Sequence, residues 1–427
     1  MARKRPVRLL YADADGKIYD HPRLLAAAEA GRGPARVPPR EWAPLPAGSE
    51  LFALPGRRPV GLDPDSGRPV TLQHLPGSRG AEARAVAAFV SPAYTRTRNP
   101  AFDRGQEAPE LPLFAYTAVG WRGENFVTAA WRVDADERQD FRHFEHQDCN
   151  AAVDRALDEF PGNTLVQQLA ICVREYGCAA ARNFVLGRWE CPLPTAPACN
   201  AACVGCVSEQ PAQCCPAPQR RLTETPAVED IAAVAVRHIE RAERPVVSFG
   251  QGCEGEPLLV WKTLRGAIQQ IRSRTDQGTI NLNSNASKTD AVEALAASGL
   301  DAMRVTLASP REKAYRAYHR PRNYALDDVI ASIRVARAAG VHVSLNLLVF
   351  PGMTDCEDEV EALLALLRDP GVDGIQLRNL NLDPDRYHEA MADAWPQAEP
   401  MGVRALAERL SRAFPEMWLG YYNPYLG

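Results

Sequence analysis

The sequence predicts an α/β fold with parallel strands, preceded by a smaller β-rich region. From about residue 187 onward, strand candidates alternate with amphipathic helix candidates in repeats of roughly 30 residues, a pattern typical of parallel strands joined by right-handed crossovers. Before residue 136, short β-like runs are instead separated by turn residues. The length of 427 residues leaves room for two or three domains.

Residues 1–135 are predicted to form the β-rich accessory domain. Residues 7–11 and 17–19 flank Asp-Ala-Asp-Gly, and residues 113–120 and 125–133 flank Trp-Arg-Gly-Glu, so each pair predicts a hairpin. Residues 33–60 are rich in Pro, Gly and Arg, which predicts an extended surface segment. The sequence leaves open whether this domain recognises a substrate or has no chemical role.

Residues 136–186 are predicted to be a helical bridge of one or two helices, because apolar residues recur there at helical spacing. Residues 187–427 then hold the strand–helix repeats. The predicted strands are 188–192, 245–249, 279–283, 302–307, 342–350 and 374–378, with a late strand at 417–422. The predicted helices are 226–243, 257–274, 288–298, 325–339, 355–368 and 399–413. The repeats alone do not distinguish an open doubly wound sheet from a barrel.

Composition excludes several classes of protein. The net charge of −4 gives no support for a broad nucleic-acid or anionic-membrane surface. No apolar run approaches the roughly 18 residues of a membrane span, and no apolar segment follows the basic N-terminus, so we predict neither a membrane anchor nor a signal peptide. Eleven cysteines without a secretion signal indicate metal or redox chemistry in a reducing cytoplasm.

Three of these cysteines, Cys199, Cys203 and Cys206, are spaced C-x3-C-x2-C. Three thiolates that close together can bind three irons of a [4Fe–4S] cube and leave the fourth iron open to a chelating ligand, whereas four cysteines would close the cluster. A zinc site would usually need a fourth Cys or a nearby His, and the nearest histidines, His146 and His238, are far along the chain. The alternative of buried structural thiols is disfavoured by the Pro, Asn and Gly neighbours.

This spacing resembles the signature of the radical S-adenosylmethionine (radical SAM) superfamily. The resemblance implies that Cys199, Cys203 and Cys206 bind a [4Fe–4S] cluster whose open iron is chelated by the amino and carboxylate groups of SAM. The reduced cluster would cleave SAM to a 5′-deoxyadenosyl radical, so the cofactor carries the chemistry and the protein supplies position and seclusion. It also implies a partial (β/α)6 TIM-like barrel with its active groups at the C-terminal strand ends.

The ends of the predicted strands resemble the SAM-binding segments of that family. Gly255 and Glu256 match best the Gly-Gly-Glu-Pro motif that holds the SAM amino group, with Glu254 in place of the first Gly. Asn283 and Asn285 stand where polar residues approach the ribose hydroxyls, although Asn285 could equally cap a helix.

Thr306 and Arg316 resemble the residues that meet the SAM carboxylate, since a guanidinium suits a bidentate carboxylate contact. Arg304, Arg320 and Arg322 are nearby competitors for this role, and the aromatic and basic stretch 315–321 could line a substrate pocket. Arg378 shares a strand face with Gln376, and an inward Arg needs an anionic or polar partner, so Arg378 is a candidate substrate or SAM contact.

Three features remain open. The residue before the third cysteine is usually aromatic in this family and packs beside the adenine, but here it is Gly205. Further cysteines could hold an auxiliary cluster, although their spacing fits no recognisable pattern; these are Cys191, Cys214, Cys215 and Cys253. Cys356, just past the fifth strand, could donate a hydrogen atom or carry a transferred group, or could simply begin a helix.

The resulting hypothesis is a cytoplasmic radical SAM enzyme that acts on a small molecule or a peptide and takes its electron from a donor such as flavodoxin or ferredoxin. No membrane partner is expected, and nucleic acid is disfavoured because phosphate contacts need a basic face. The alternatives are an RNA-modifying member of the same class, and an iron–sulfur electron carrier or metal-binding protein without SAM chemistry.

Overall fold

The N-terminal part of the protein is an antiparallel β structure. The computed structural model describes residues 5–31, 33–78, 80–210 and 217–427. Within them, this part holds a twelve-stranded sheet and a two-stranded sheet. The strands are β1 Arg8–Ala12, β2 Ile18–Glu29, β3 Pro34–Arg36, β4 Ala43–Pro44, β5 Glu50–Leu54, β6 Arg57–Leu62, β7 Pro69–Thr71, β8 Arg84–Phe89, β9 Tyr94–Arg96, β10 Asn99–Pro100, β11 Phe102–Arg104, β12 Thr117–Arg122, β13 Asn125–Thr128 and β14 Ala130–Arg132.

Both predicted hairpins are confirmed. Strands β1 and β2 pair across the first turn, where the Asp13 carboxylate accepts the amide of Lys17 at 2.9 Å. Strands β12 and β13 pair across the second turn, with Gly120 opposite Val127. Residues 33–60 are extended, as predicted, in strands β3 to β5 and the start of β6, but the segment is not confined to the surface, because Leu54 and Val60 are buried.

The helical bridge has three helices rather than one or two: α1 Cys149–Glu159, α2 Thr164–Arg174 and α3 Ala179–Val185. Gly162 and Gly177 separate them, and both adopt positive φ angles, of 78° and 59°. This backbone conformation ends a helix and is accessible to glycine at little cost. The apolar faces of α1 and α2 pack into the same core as the barrel.

The second half of the chain forms a seven-stranded parallel sheet whose strands lie in sequence order. The strands are β15 Glu190–Leu193, β16 Val246–Phe249, β17 Thr279–Ser284, β18 Ala302–Leu307, β19 His342–Val349, β20 Gly374–Asn379 and β21 Trp418–Gly420. The helices are α4 Val228–Arg241, α5 Trp261–Arg272, α6 Thr289–Ala296, α7 Glu312–His319, α8 Leu326–Ala338, α9 Glu357–Arg368, α10 Pro384–Met391 and α11 Val403–Ala413. In the described ranges, no helix has the length and apolar character needed to cross a membrane.

The strands run in order from β15 to β21 and the two edge strands do not pair, as expected for the predicted partial barrel. A set of buried polar side chains, here called the polar floor, fills its interior: Glu190, Ser248, Asn281, Gln376 and Asn423. Asn423 lies beyond β21, donates to Glu190 at 2.8 Å and accepts from Gln376 at 2.9 Å. One amide side chain therefore links the first strand to the sixth across the unpaired edge.

The β-rich part packs against the loops that follow β19 and β20. Arg57 and Asp383 form an ion pair at 2.5 Å with both side chains fully buried. Thr95 donates to the carbonyl of Leu377, and the amide of Phe114 donates to the side chain of Asn381, each at 2.5 Å. These contacts fix the chain after β20 at the C-terminal end of the barrel.

Candidate active site

A cavity of about 400 Å³ opens at the C-terminal ends of the parallel strands. Its lining combines the cysteine loop with polar residues from five strands or strand ends. Most of the residues predicted from the sequence face it: Cys199, Cys203, Cys206, Gly255, Glu256, Asn283, Asn285, Thr306 and Arg378. Arg316 and Cys356 do not.

The cysteine loop follows β15, and helix α7 holds it in place. The amide of Ala202 donates to the carbonyl of His319 at 3.1 Å, and the amide of Val204 donates to that of Tyr318 at 2.9 Å. The amide of Cys206 closes a turn on the carbonyl of Cys203 at 3.1 Å. Pairing with a neighbouring element thus orders a segment that is too short to fold alone.

Two side chains approach the thiols. His319 Nδ1 lies 3.4 Å from Cys203 Sγ, and its Nε2 accepts the amide of Ala308 at 3.1 Å. Arg221 Nη2 lies 3.5 Å from Cys206 Sγ, and the same guanidinium pairs with Glu209. The sequence did not suggest either contact, because His319 is 116 residues from Cys203, and Arg221, 15 residues after Cys206, belongs to no recognisable motif.

The donor set fits an iron–sulfur cube. All three thiols line one cavity, and they face no fourth cysteine among the described lining residues. Within the described ranges, no group of three or more His, Cys, Asp and Glu side chains is close enough to hold a single metal ion. A [4Fe–4S] cube does not need its cysteines to converge on one point, because each cysteine binds a different iron. Burial raises the pKa of the Cys199 thiol to about 11, so a cationic cluster is what would stabilise its thiolate form.

Glu254, which replaces the first glycine of the motif, locks two loops together. Its carboxylate accepts the amides of Thr195, Ala196 and Gln251, each at 2.7 Å. Burial raises the pKa of Glu254 to about 7, while these backbone donors oppose the rise. The side chain therefore fastens the start of the cysteine loop to the loop after β16, a role that the motif comparison did not suggest.

Gly255 and Glu256 continue the same junction. The amide of Gly255 donates to the carbonyl of Ala196 at 2.6 Å, and a Cβ atom on Gly255 would lie 1.9 Å from the oxygen of Ala198. The Glu256 carboxylate accepts from Ser284 Oγ at 2.5 Å and from the amide of Asn285 at 2.8 Å. Both residues line the cavity, but the side chain of Glu256 is already occupied by donors of the protein.

The two asparagines lie side by side on the cavity wall. Asn283 donates to the carbonyl of Gly250 at 2.8 Å. Asn285 donates to Asn200 Oδ1 at 2.8 Å, which joins the third strand end to the cysteine loop. The alternative of a helix N-cap is wrong for Asn285, because Lys288 occupies that position before α6.

The assignment of Arg316 needs correction. Arg316 lies on the outer face of α7, with its side chain 64% exposed, and is 3.8 Å from Glu312 one turn earlier. Thr306 does face the cavity, and Arg304 on the same face of β18 lines it too. Arg304 Nη1 donates to Gln376 at 3.0 Å, and its buried Nε has no partner among the described residues. Arg304 is therefore the arginine that the structure brings beside Thr306.

Gly205 leaves room for the side chain of Tyr318, an aromatic residue of α7. A Cβ atom at this position would lie 2.7 Å from the hydroxyl oxygen of Tyr318. Tyr318, on α7, is 4% exposed and lines the cavity. The Tyr318 hydroxyl thus occupies the space that a side chain at position 205 would need.

The other cysteines that the structure describes do not line the cavity. Cys356 is 1% exposed, precedes α9 and donates to the carbonyl of Gly352 at 3.3 Å, so its proposed catalytic position at the cavity is wrong. Cys191 is buried within β15, and Cys253 is buried in the loop after β16. Cys214 and Cys215 lie outside the described residues, so an auxiliary cluster stays a prediction.

Comparison with known proteins identifies the domain. Residues 193–367 match the family model described as the radical SAM superfamily. This part of the chain is therefore a radical SAM domain, and the enzymes of that superfamily use a [4Fe–4S] cluster and SAM. No curated protein is similar enough to count as a match.

Several solved structures are also similar. A radical SAM methyltransferase from Sphaerobacter thermophilus shares 17% identity and a TM-score of 0.38 over 54% of this chain and 66% of its own. The FeFe-hydrogenase maturase HydG from Carboxydothermus hydrogenoformans has 14% sequence identity and a TM-score of 0.38, over 63% of this chain and 64% of its own. SuiB of Streptococcus suis bound to S-adenosylmethionine has 14% sequence identity and a TM-score of 0.40, over 72% of this chain and 70% of its own. The chain spans slightly less than two thirds of the first two of these proteins.

Proposed function

We propose that this protein reductively cleaves SAM and uses the resulting 5′-deoxyadenosyl radical to abstract hydrogen from a small molecule or a peptide. The observation that carries the proposal is the cavity itself, where the C-x3-C-x2-C thiols share one wall with polar strand-end residues. When bound, the reduced cluster supplies the electron that breaks a carbon–sulfur bond of SAM.

The residues of the chain have distinct parts in this proposal. Cys199, Cys203 and Cys206 hold the cluster. Thr306 and Arg304, which replaces Arg316, bind the SAM carboxylate, because a guanidinium matches a carboxylate in charge and shape. Carbonyl groups of the loop at Gly255 accept from the amino group, and Asn283 and Asn285 bind the ribose hydroxyls.

The proposed function also includes a cellular location and an electron donor, and it has alternatives. We infer a cytoplasmic location, since the described cysteines are all free thiols. Reduction of the cluster needs an electron donor, and we expect one such as flavodoxin or ferredoxin. An RNA substrate is the second candidate within the class, but the net charge of −4 disfavours it. An electron carrier without SAM chemistry would need a closed cluster, whereas three cysteines face the cavity.

Anaerobic reconstitution with iron and sulfide, followed by reduction in the presence of SAM, tests the proposal. The wild-type protein should release 5′-deoxyadenosine, and Cys199→Ala should abolish both the release and the cluster absorbance. Cys149→Ala, in helix α1, is the matched control and should retain both. Release of 5′-deoxyadenosine by Cys199→Ala at the wild-type rate would refute the cluster assignment.

A further inference from the structure

Arg378 is held at the cavity wall in a way that leaves most of its donors free. Its Nη1 donates to the carbonyl of Tyr421 at 2.9 Å, and its guanidinium lies 4.0 Å from the centre of the Tyr421 ring. Stacking on an aromatic ring fixes the plane of a guanidinium without using its N–H groups. Among the described residues, no carboxylate forms an ion pair with Arg378, although the side chain lines the cavity.

Most other charged groups of the cavity already have partners. Arg221 pairs with Glu209 at 2.5 Å. The carboxylates of Glu254 and Glu256 accept hydrogen bonds from amides and hydroxyls of the protein. Arg304 donates to Gln376 but, like Arg378, forms no ion pair with a carboxylate of the described residues. The described lining thus has two guanidinium groups without an ion-paired carboxylate.

SAM does not remove this imbalance. The cofactor has one carboxylate, together with a cationic sulfonium and an ammonium group, so it brings no surplus of negative charge. In the proposed function that single carboxylate goes to Arg304 and Thr306 on β18, so Arg378 on β20 is left without an anion. A buried or half-buried guanidinium without an anionic partner is costly, so a further anion is expected at Arg378.

We propose that Arg378, stacked on Tyr421, binds an oxyanion of the substrate, either a carboxylate or a phosphate. This inference rests on the proposed function and narrows its substrate class to anionic small molecules or to peptides with an acidic group. The planar guanidinium can offer two parallel N–H donors to either oxyanion.

Equilibrium dialysis of the reconstituted holoenzyme with saturating SAM tests this site. The probes are radiolabelled phosphate and, separately, radiolabelled acetate, and the tighter of the two indicates which oxyanion the substrate has. Arg378→Gln should weaken binding of the preferred probe by about tenfold or more, while the affinity for SAM changes by less than about twofold. The matched control is Arg316→Gln, an exposed arginine outside the cavity, which should change neither.

Three results would overturn the proposal: neither probe binds the wild-type holoenzyme, Arg378→Gln binds both probes normally, or Arg378→Gln weakens SAM binding by about tenfold, as expected if Arg378 holds the SAM carboxylate. If Arg378→Gln fails to take up the cluster, Arg378→Lys serves instead. It keeps the charge but loses the second parallel donor, so it should bind the preferred probe more weakly and SAM normally. The dialysis measures binding and needs no turnover. Absence of 5′-deoxyadenosine would therefore refute the proposed function but not the anion site at Arg378.

Discussion

At the scale of single residues, His319 has the contacts that bear most directly on the cysteine loop. Because Nε2 accepts the amide of Ala308, the neutral ring carries its proton on Nδ1, which points to Cys203 Sγ. The ring is 1% exposed, and burial lowers its pKa to about 3, which keeps it neutral. His319 is therefore a neutral N–H donor to Cys203, one of the three proposed cluster ligands.

We expect His319→Phe to lower the reduction potential of the cluster, because hydrogen bonds to the sulfurs stabilise the more negative reduced state. A loss of about 1 kcal/mol corresponds to a shift of about 40 mV for one electron. A redox titration followed by electron paramagnetic resonance measures it. His388→Phe, which alters a histidine stacked on Trp395 away from the cavity, is the control. An unchanged potential at full iron content in His319→Phe would contradict this hydrogen bond.

The same scale shows why some site residues were predictable and others were not. The cysteine spacing and the polar strand ends are local patterns, so Cys199, Asn283 and Thr306 reach the cavity as expected. Arg316 does not, because its direction depends on the phase of α7, which the sequence did not predict as a helix. Once α7 begins at Glu312, Tyr315 and His319 face inward and Arg316 faces solvent.

At the scale of elements, the loops after β15 and β16 interlock so closely that one position between them tolerates only glycine. Gly255 faces the carbonyl of Ala198 across this junction, and Glu254 binds the amides beside it. The strands themselves were predictable, because each is a short apolar run between turn residues. Helices α7 and α10 were missed because each has eight residues and an aromatic, charged composition.

Gly255→Ala should separate the two loops, because its Cβ atom would overlap the oxygen of Ala198 and backbone must move. We expect a loss of about 1–3 kcal/mol in unfolding free energy and reduced iron content after reconstitution. Gly252→Ala, in the same loop, is the control, since its Cβ atom would meet only side-chain atoms of Val207 and Gln219. Equal iron content and equal stability in the two variants would show that the junction is not rigid.

At the scale of the whole molecule, the β-rich part braces the end of β20 and the loop after it, which contribute Asn379 and Asn381 to the cavity lining. The ion pair between Arg57 and Asp383 is fully buried at this contact. The sequence predicted both parts but not their contact, because it depends on residues hundreds of positions apart. The link gives the accessory part a structural role in shaping the cavity.

Arg57→Ala should destabilise the protein by about 3–5 kcal/mol, because it leaves the Asp383 carboxylate buried without its partner. Thermal unfolding measures this effect. The double variant Arg57→Met/Asp383→Leu removes both charges and should recover much of the loss. If the double variant is as unstable as the single one, an unpaired charge is not the cause.

The stability of the folded protein should also depend on pH, through Glu29 of β2. Burial, with a contribution from the negative charge of Asp385, raises the pKa of Glu29 to about 7 from an ordinary value of 4.5. The folded protein therefore holds this proton more tightly than the unfolded chain, so the stability from this group is lost as pH rises from about 4.5 to about 7.

Glu29→Gln removes this titration and should be more stable than the wild type by about 1–2 kcal/mol above pH ~7, with little difference near pH ~5. Urea unfolding at both pH values measures the two differences. Parallel pH profiles for the two proteins would show that Glu29 titrates normally.

The polar floor has a consequence for the folding reaction. It includes the hydrogen bond between Asn423 and Glu190, which are 233 residues apart. Closing so long a loop costs much chain entropy, so we expect this bond to form late in folding, after the neighbouring strands have paired. Until then, the inner surface exposed at the unpaired edge consists of amides, hydroxyls and a carboxylate rather than apolar side chains. A late intermediate of this kind hydrates readily, and we expect it to self-associate less than one that exposes an apolar core.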